Sequence, residues 1–482
     1  MKRVAIVGAG VSGLACAHRL GELAAKAGTA MEISVFDAAS RAGGTIASEE
    51  KDGFLLEKGP DSFISEKPWA VELSGRLGIG PEILGTEGRY RKTFVVKGGR
   101  LLPLPEGFYL VAPLNPVSFL GTPLFSWAGK LRMMSEVWVP RKTGSADESV
   151  ADFIRRRFGK EALERVGQPM VAGIHSGDPG RLSLSEVLPR FKALEENHGS
   201  VIRGLLKSAR SKDGHSAKAA SGPRYSLFLS YRRGMETLVR ALVDRLPGGT
   251  LRLGSGIRRI SREHRKGAWN LTGQDGGTYP ADAVCLACPA HRAADLVEDL
   301  SPDVSKKLRE IPYESVATVN LAYREEDVAH PLDGFGFVVP AVERKSLVAC
   351  TFANRKFAGR APKGFLLLRA FVGGAFGKEF FEMPDGDLQK SVGKDLAALL
   401  GIRKDPLFCR ISRWRESMAQ YRVGHRDRIR RIESLLGDFP GIFLTGSAYR
   451  GTGIPDCIHN AEQQAEAVFP LLTKEGNGEV IG

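Results

Sequence analysis

Long apolar runs and cysteines are both scarce in this sequence. No apolar stretch approaches the ~18 residues that a membrane-spanning helix needs. The six cysteines among 482 residues are too few for the disulfide framework that stabilises small secreted domains. The apolar run that follows Met1 is too short for a signal peptide and is interrupted by glycines. These absences argue against a membrane-spanning or disulfide-stapled protein and predict a cytoplasmic location.

Metal-binding clusters and nucleic-acid-binding motifs are also missing. Cys285 and Cys288 have C-x-x-C spacing, but no second pair or histidine cluster accompanies them, so no metal site is predicted. Lysine and arginine (69) outnumber aspartate and glutamate (55), and the net charge of +14 favours anionic partners. Because no zinc-finger spacing, RNP-like segment or long basic run occurs, nucleic acid is not the predicted partner. An acidic small molecule and an anionic membrane surface remain as candidate partners for the positive charge.

The most informative feature is the strand–turn–helix pattern at the start of the chain. Residues 4–7 are apolar, as in a buried parallel strand, and a G-x-G-x-x-G turn follows. Gly8 permits the tight turn, Gly10 lets the backbone approach a pyrophosphate, and Gly13 lets helix and strand pack closely. The amides of the following helix then bind the phosphates. The predicted phosphate contacts are Gly8, Ala9, Gly10, Val11, Ser12 and Gly13.

A second predicted strand ends in an acidic residue where ribose binding requires one. Residues 31–36 are strand-like and Asp37 follows them, close to the ~20-residue spacing of a dinucleotide-binding unit. The Asp37 carboxylate can accept hydrogen bonds from the adenosine ribose, with Ala38 beside it. A glycine-rich turn without a ligand is the alternative. Strand, turn, helix and acid all favour a dinucleotide site.

The residues after Asp37 indicate which dinucleotide is bound. Two further turns follow, formed by Arg41, Gly43, Gly44 and Thr45 and by Gly59, Pro60, Asp61 and Ser62. This order resembles the two-dinucleotide-binding flavoproteins, in which an Arg-x-Gly-Gly turn follows the ribose-binding acid. The resemblance implies FAD, contacted by both turns. NAD(P) is the alternative, although a nicotinamide dehydrogenase does not need this extension.

Changes of pattern along the remainder of the chain define the fold class. Gly98 and Gly99 predict a hairpin turn, residues 126–206 are mostly helical, and four later segments predict antiparallel strands at 316–323, 335–339, 346–352 and 365–373. A last strand–glycine–helix junction, within residues 442–458, can point amides at a flavin ring or phosphate. The predicted fold is α/β, with a Rossmann-like FAD-binding domain assembled from separated segments, a substrate domain built on a mixed or antiparallel sheet, and a helical insertion.

The predicted domain boundaries follow this alternation. FAD-binding segments are predicted at 1–80, 227–300 and 406–482, a substrate-domain hairpin at 81–105 and its sheet at 301–405. The helical domain covers 106–206, and a mobile loop covers 207–226. Residues 103–125 combine five prolines with large apolar side chains, which predicts either a buried loop or an exposed patch. As a hypothesis, this segment surrounds the mouth of the active site and contacts the inner face of the cell membrane peripherally.

Several longer motifs, in a fixed order, resemble one subfamily of these flavoproteins. They lie at residues 51–63, 172–178, 333–337, 413–425 and 451–458. The match runs through nearly the whole chain and is to the oxygen-dependent porphyrinogen oxidases of haem biosynthesis. It implies that FAD and oxygen remove six electrons from a porphyrinogen in three turnovers, with hydrogen peroxide as the second product. A flavin amine oxidase or a desaturase is the alternative enzyme, and a flavin-binding interaction module is the non-enzymatic one.

The resemblance also implies the roles of individual residues. No catalytic acid or base is implied, because the pyrrole nitrogens assist the oxidation and the protein must supply position and a dry pocket. Ile257 matches a contact on the adenine side and Trp414 a residue near the flavin, while the C-terminal junction supplies Gly446, Thr452, Gly453 and Ile454. The positions that face or border the macrocycle are Gly173, His175, Phe335, Val338 and Phe371, for which core packing is the alternative.

Two positions bear on the choice of porphyrinogen. Thr93 stands where protoporphyrinogen-specific relatives often carry an arginine that pairs with a propionate. Lys67 matches a lysine of the Gram-positive-type relatives, which lack that arginine and oxidise coproporphyrinogen III. The resemblance therefore favours coproporphyrinogen III over protoporphyrinogen IX, with Lys67 at the pocket edge. A solvated surface lysine is the alternative for Lys67.

Overall fold

The computed structural model describes residues 1–144, 146–210, 227–262 and 268–473. Its centre is a parallel sheet whose middle strand is Lys2–Val7. The strands of this parallel sheet lie in the order Leu251–Arg252, Met31–Phe36, Lys2–Val7, Ala283–Leu286 and Ile442–Leu444. Because they come from three distant parts of the chain, the predicted assembly of the FAD-binding domain from separated segments is confirmed.

The strand Lys2–Val7 is buried on both faces, as expected of a central parallel strand. Val4 and Ile6 pack into one core and Ala5 and Val7 into the other. The first core is covered by the helices Val11–Ala27, Trp69–Arg76, Glu236–Asp244 and Ile454–Thr473. The second is covered by an antiparallel sheet of Ile257–Arg262, Trp269–Gly273 and Thr278–Ala281 and by the helices Ala290–Val297, Pro302–Arg309 and His425–Leu436.

The predicted substrate domain is built on one seven-stranded sheet. Its strands lie in the order Phe408–Ala419, Tyr313–Arg324, Phe365–Gly373, Ala349–Phe352, Gly334–Val338, Lys92–Lys97 and Arg100–Pro103. All neighbours are antiparallel except Gly334–Val338 and Lys92–Lys97, so the sheet is mixed. The predicted hairpin turn at Gly98 and Gly99 is confirmed by their positive φ angles. The helix Asp385–Leu400 covers one face of the sheet and ends at Gly401.

One predicted boundary is wrong because of this sheet. The strand Phe408–Ala419 pairs along its length with Tyr313–Arg324, so it belongs to the substrate domain and not to an FAD-binding segment that begins at 406. Most of its residues are only partly buried and four of them are charged, so the sequence gave no strong apolar signal. Long-range pairing with a buried neighbour supplies the missing stabilisation.

The helical insertion has its own core, which also includes Val95, Val338 and Ala349 of the seven-stranded sheet. Its helices are Pro116–Gly121, Trp127–Met134, Val150–Phe158, Lys160–Ala162, Gln168–His175, Leu184–Val187, Pro189–His198 and Val201–Arg210. The last helix continues to Arg210, so the predicted loop at 207–226 begins four residues too early. Its remaining part, 211–226, lies outside the described residues.

The proline-rich segment 103–125 buries part of its large side chains. Phe119 and Phe125 are buried in the core of the helical insertion, and their ring centroids lie 5.6 Å apart. The half-buried Phe108 packs on both rings, at 6.0 and 5.9 Å. Two short strands, Phe108–Tyr109 and Ala112–Pro113, order the backbone. The buried alternative is therefore correct for Phe119 and Phe125.

Short elements complete the architecture. The strands are Ser48–Lys51 with Phe54–Glu57, and Phe63–Ile64 with Phe228–Tyr231 and Ile83–Gly85. The short helices are Gly80–Glu82, Ser135–Trp138, Leu163–Gly167, Glu325–Asp327, Ala341–Glu343, Ala353–Lys356, Gly374–Phe376 and Lys378–Phe381. Among the described helices, none is both long enough and apolar enough to cross a membrane.

Candidate active site

The glycine turn at residues 8–13 leaves open space next to its second glycine. A Cβ on Gly8 would lie 2.6 Å from the carbonyl oxygen of Ala287, and one on Gly13 would lie 1.9 Å from the Gly8 oxygen. These two glycines are therefore required by the backbone itself. At Gly10, by contrast, a Cβ would meet no described atom within 4 Å. The turn fits a pyrophosphate, which needs close backbone approach at this one position.

The Asp37 carboxylate is fixed by backbone amides. Its Oδ2 accepts a hydrogen bond from the amide of Ala9 at 2.7 Å, and its Oδ1 accepts one from Ala39 at 2.8 Å. Each oxygen keeps a lone pair for a ribose hydroxyl. The amide of Ser255 donates to the Asp37 carbonyl at 2.8 Å, which brings the predicted adenine contact Ile257 to this end of the sheet.

Arg41 orders its own turn. Its guanidinium donates to the carbonyls of Ala42, Gly44 and Ile46, so the side chain wraps around the turn. The Arg41 turn lies against the predicted phosphate-binding glycines, because the Gly43 amide donates a hydrogen bond to the Ala9 carbonyl at 2.8 Å. Arg41 therefore shapes the cofactor site by holding the backbone. The family resemblance implied a direct contact between Arg41 and the cofactor, and that contact stays a prediction.

The next turn, residues 58–62, packs on the Arg41 turn. A Cβ on Gly59 would lie 1.7 Å from the Thr45 carbonyl oxygen, so only glycine permits this approach. The Asp61 carboxylate is held by Lys356 at 2.9 and 3.1 Å, and it accepts a bond from Ser62 Oγ at 2.7 Å. Although burial opposes it, the charge of Lys356 holds the pKa of Asp61 well below its ordinary value. The Asp61 and Ser62 side chains are therefore bonded to protein.

The C-terminal junction closes the cofactor site from the far side. Gly446 follows the strand Ile442–Leu444, and a Cβ there would lie 4.0 Å from Ser12 Oγ. Beside it, Thr445 Oγ1 is buried and has no hydrogen-bond partner among the described residues. Thr452 and Gly453 lead into the helix that starts at Ile454. An unpaired hydroxyl here fits a polar ligand, since buried polar groups are normally hydrogen-bonded.

The predicted substrate residue Lys67 is paired with a residue that the sequence did not single out. Its Nζ lies 2.6 Å from both carboxylate oxygens of Asp456, in the first turn of the helix Ile454–Thr473. About a third of the Lys67 side chain stays exposed. The pair therefore joins the segment after residues 58–62 to the C-terminal junction of the cofactor site.

Predicted macrocycle residues share one face of the seven-stranded sheet. Val338 pairs with Ala349, which pairs with Phe371, and a Cβ on Gly173 would lie 3.8 Å from Val338 Cγ1. Thr93 is two residues from Val95, the partner of Val338, so its side chain points to the same face. The helix Gln168–His175 thus lies over this face, and the small Gly173 keeps it close.

Phe335 and His175 have more specific surroundings. Phe335 lies at a bulge between the paired residues Gly334 and Gly336, and its ring is half-buried. The carbonyl of His175 accepts a hydrogen bond from Gln420 Nε2 at 3.0 Å. Burial, helped by the nearby charge of Lys67, lowers the pKa of His175 to about 4. Its imidazole is therefore neutral near pH 7.

The family match covers almost the whole chain. Residues 11–469 match the model described as flavin containing amine oxidoreductase. This chain belongs to that family. It is an oxidoreductase whose cofactor is FAD, as predicted, and the glycine turns, Asp37 and the unpaired Thr445 hydroxyl are the features that fit the cofactor.

Curated relatives bear porphyrinogen oxidase names. The chain is 33% identical to coproporphyrinogen III oxidase of Bacillus subtilis (strain 168), over 98% of each chain. It is 30% identical to coproporphyrinogen III oxidase of Staphylococcus aureus (strain NCTC 8325 / PS 47), over 98% of this chain and all of that one. Chloroplastic protoporphyrinogen oxidase of Oryza sativa subsp. japonica is 29% identical over 97% of this chain and 88% of its own length. The predicted resemblance to porphyrinogen oxidases is confirmed.

Solved structures agree on the fold. A crystal structure from Exiguobacterium sp. 255-15, assigned provisionally to the protoporphyrinogen oxidases, has a TM-score of 0.85 and 30% identity, over 97% of this chain and 98% of that one. Reduced UDP-galactopyranose mutase has a TM-score of 0.72 at 15% identity, over 98% and 97% of the two chains. At this low identity the similarity to the mutase is one of fold alone. It confirms the predicted α/β fold class.

Residues missed by the sequence analysis act through distant contacts. Asp456, Arg369 and Thr318 all touch the predicted cofactor or substrate segments from elsewhere in the chain. Asp456 follows the glycines 451 and 453, which was a local signal that a helix start lay nearby. Arg369 and Thr318 lie inside strands. The sequence could have revealed them only as single polar residues at positions that alternate towards the buried face of a strand.

Proposed function

We propose that this chain oxidises coproporphyrinogen III to coproporphyrin III, using molecular oxygen and releasing hydrogen peroxide. The observation that carries the choice of substrate is Thr93, which lies on the Val338 and Phe371 face of the sheet and cannot neutralise a propionate. The names of the bacterial relatives support the same choice. Protoporphyrinogen IX is the alternative substrate of the same chemistry.

The residues of the site bind and orient the macrocycle and exclude water. Phe371, Val338 and the backbone of Gly173 offer an apolar surface to a planar ligand. The neutral His175 adds no charge beside it. When bound, FAD accepts two electrons in each turnover, so removal of six electrons takes three turnovers. Because the protein mainly supplies position, no side chain is assigned as acid or base.

Positive charge suits a substrate with four carboxylates better than one with two. The chain carries a net charge of +14, and Lys67 lies beside His175 at the predicted pocket edge. Lys67 has three N–H donors, and Asp456 does not need all of them. We propose that Lys67 directs a remaining donor to one propionate while Asp456 fixes its position.

The substrate assignment is tested with purified holoprotein and both porphyrinogens. Anaerobic mixing should bleach the flavin absorbance faster with coproporphyrinogen III than with protoporphyrinogen IX. On admission of air, porphyrin fluorescence should rise with three hydrogen peroxide molecules formed per porphyrin. A preference for protoporphyrinogen IX would reverse the substrate choice, and bleaching by neither substrate but by an amine would restore the amine oxidase alternative.

A variant pair sharpens this experiment. Thr93→Arg should raise the activity on protoporphyrinogen IX relative to coproporphyrinogen III, because it restores a cation on the substrate face. Thr278→Arg is the matched control, since Thr278 is exposed on the three-stranded sheet. Equal substrate ratios in the two variants would show that position 93 does not contact the substrate.

We further propose that the protein works in the cytoplasm and contacts the inner face of the membrane through its helical insertion. Trp127, Leu131 and Met134 form one exposed stripe of the helix Trp127–Met134, with Trp127 and Leu131 each 67% exposed. Val117 and Trp138 are also exposed, on the helices Pro116–Gly121 and Ser135–Trp138. Tryptophan rings favour the membrane interface, and a cationic protein favours anionic headgroups.

Vesicle flotation tests the membrane contact. The double variant Trp127→Ser with Leu131→Ser should bind less to vesicles that contain phosphatidylglycerol. Wild type and variants alike should bind purely zwitterionic vesicles more weakly than these anionic ones. Val342→Ser with Leu407→Ser is the matched control, because these residues are comparably exposed on the substrate domain. Equal flotation of both double variants would contradict the proposed surface.

A further inference from the structure

Side chains of the seven-stranded sheet hold consecutive backbone carbonyls of the turn that follows the strand Phe54–Glu57. The Glu57 carbonyl accepts hydrogen bonds from Asn320 Nδ2 and Arg369 Nε, both at 3.2 Å. The Gly59 carbonyl accepts a further bond from Arg369 Nη2. Asn320 and Arg369 are paired residues on neighbouring strands, so they reach the turn side by side.

The carbonyl between these two is held in the same way. Lys58 oxygen accepts bonds from Thr318 Oγ1 at 2.7 Å and from Trp414 Nε1 at 2.8 Å. Together these donors come from three adjacent strands, which we call the carbonyl clamp: Thr318, Asn320, Arg369 and Trp414. Because the turn is nearly enclosed, losing such a donor would leave a buried carbonyl unpaired.

Arg369 occupies a special place in the clamp, because its strand face also carries the substrate surface. Leu367, Arg369 and Phe371 alternate to one face of the strand Phe365–Gly373. Leu367 shares a buried cluster with Phe54, which lies in the strand Phe54–Glu57 that leads into the turn. The guanidinium carbon of Arg369 lies 4.4 Å from the ring centroid of Phe371. Three successive inward residues of this one strand therefore contact the strand Phe54–Glu57, the turn that follows it and the predicted substrate face.

The other side of the same turn is equally constrained. Gly59 lies so close to the Thr45 carbonyl that a Cβ would reach within 1.7 Å of that oxygen. The Asp61 carboxylate lies 3.8 Å from Arg369 and is also bonded to Lys356. The turn thus has little freedom to move towards or away from the seven-stranded sheet. Its position relative to Phe371 depends on Arg369.

We infer that Arg369 is a positioning residue that fixes the flavin-side turn at residues 58–61 relative to the substrate face at Phe371. This inference rests on the proposed function, since it concerns the distance between cofactor and porphyrinogen. Two carbonyls two residues apart require a forked donor, and guanidinium provides one. A lysine keeps the charge but cannot bridge both carbonyls. Errors of about 1 Å in such a distance can cost on the order of a hundredfold in rate.

The test compares Arg369→Lys with Arg413→Lys in the holoprotein. Arg413 also donates to backbone carbonyls, those of Phe381 and Met383, but from the face of the edge strand opposite to Trp414. Arg369→Lys should retain FAD, change the visible circular dichroism of the resting flavin, and lower kcat by about 10- to 100-fold with little change in KM. Arg413→Lys should match the wild type in dichroism and kcat.

A second variant covers the case in which Arg369→Lys does not fold. Thr318→Val keeps the side-chain shape and removes one donor to the Lys58 carbonyl, so it should change the flavin dichroism in the same direction but less. Wild-type dichroism and kcat in both variants, with lower thermal stability alone, would overturn the inference and leave a structural role. The dichroism is read without substrate, so it stays informative even if coproporphyrinogen proves to be the wrong substrate.

Discussion

The Lys67 ammonium lies 2.6 Å from both carboxylate oxygens of Asp456, across 389 residues of sequence. This ion pair connects the segment after the flavin-side turn with the first turn of the last helix, Ile454–Thr473. It gives Lys67 two candidate roles, to meet a substrate propionate and to hold the C-terminal junction. The two roles predict different effects of removing the Asp456 carboxylate.

Replacement of Lys67 by alanine should weaken the use of coproporphyrinogen III. A partly exposed ion pair contributes up to ~1 kcal/mol and a more desolvated charged hydrogen bond ~1.5–3 kcal/mol. Lys67→Ala should therefore lower kcat/KM by roughly five- to a hundredfold, mainly through KM, and should affect protoporphyrinogen IX less. Steady-state kinetics on both substrates checks this.

Asp456→Asn separates the two roles of Lys67. If Lys67 binds a propionate from the position that Asp456 fixes, Asp456→Asn should raise KM for coproporphyrinogen III while FAD stays bound. If Lys67 only holds the junction, Asp456→Asn should instead weaken FAD retention on a desalting column. An unchanged KM together with unchanged FAD retention would contradict both roles.

Two alanine substitutions in the glycine turn should have different consequences. Gly10→Ala places a methyl group in open space and should give a folded protein that purifies with little FAD. Gly13→Ala places it against the Gly8 carbonyl and should destabilise the fold itself. Absorbance at 450 nm and far-ultraviolet circular dichroism of both proteins distinguish the effects. Full flavin occupancy in Gly10→Ala would refute the placement of the pyrophosphate.

Glu57 should make folding stability fall as pH rises. Burial raises the pKa of its carboxyl from 4.5 to about 7. Because the folded-state pKa is the higher one, the Glu57 contribution is complete below pH 4.5 and is lost as pH rises through 7. The corresponding loss in the free energy of unfolding is as much as about 3 kcal/mol. Tm measured from pH 4.5 to 8 should decline less steeply with pH in Glu57→Gln than in wild type.

The control for Glu57 is an exposed glutamate. Glu164 pairs with Lys160 on the surface of the helical insertion, so Glu164→Gln should keep the pH dependence of wild type. Identical slopes in Glu57→Gln and Glu164→Gln would show that Glu57 does not titrate in this range.

The buried pair of Glu136 and Arg157 should be essential to the helical insertion. Both side chains are fully buried and hydrogen-bonded, and Glu136 also accepts a bond from Ser200 Oγ at 2.5 Å. Removing one partner of a buried pair typically costs about 3–5 kcal/mol. After loss of the Glu136 charge, Arg157 keeps Glu195 as a partner at 3.1 Å. Glu136→Gln should still lower the urea midpoint markedly, whereas Glu164→Gln should hardly change it. A small shift in Glu136→Gln would mean that Glu195 alone compensates Arg157.

Features formed by neighbouring residues were predicted well. The glycine turn with Asp37 and the hairpin at Gly98 and Gly99 both appear where the sequence placed them. Each depends on backbone preferences or on periodicity within a short stretch, which the sequence contains directly. Family resemblance added FAD and the porphyrinogen oxidase class.

What the sequence by itself determined is therefore the local structure, the cofactor and the family. The tertiary structure decided which side chains meet. It buried Phe119, moved the strand Phe408–Ala419 into the substrate domain, and paired Lys67 with Asp456. It also placed Arg369 on the carbonyls of residues 57 and 59. These contacts join residues far apart in the chain, and their energy depends on burial and geometry that exist only after the sheets and helices have packed.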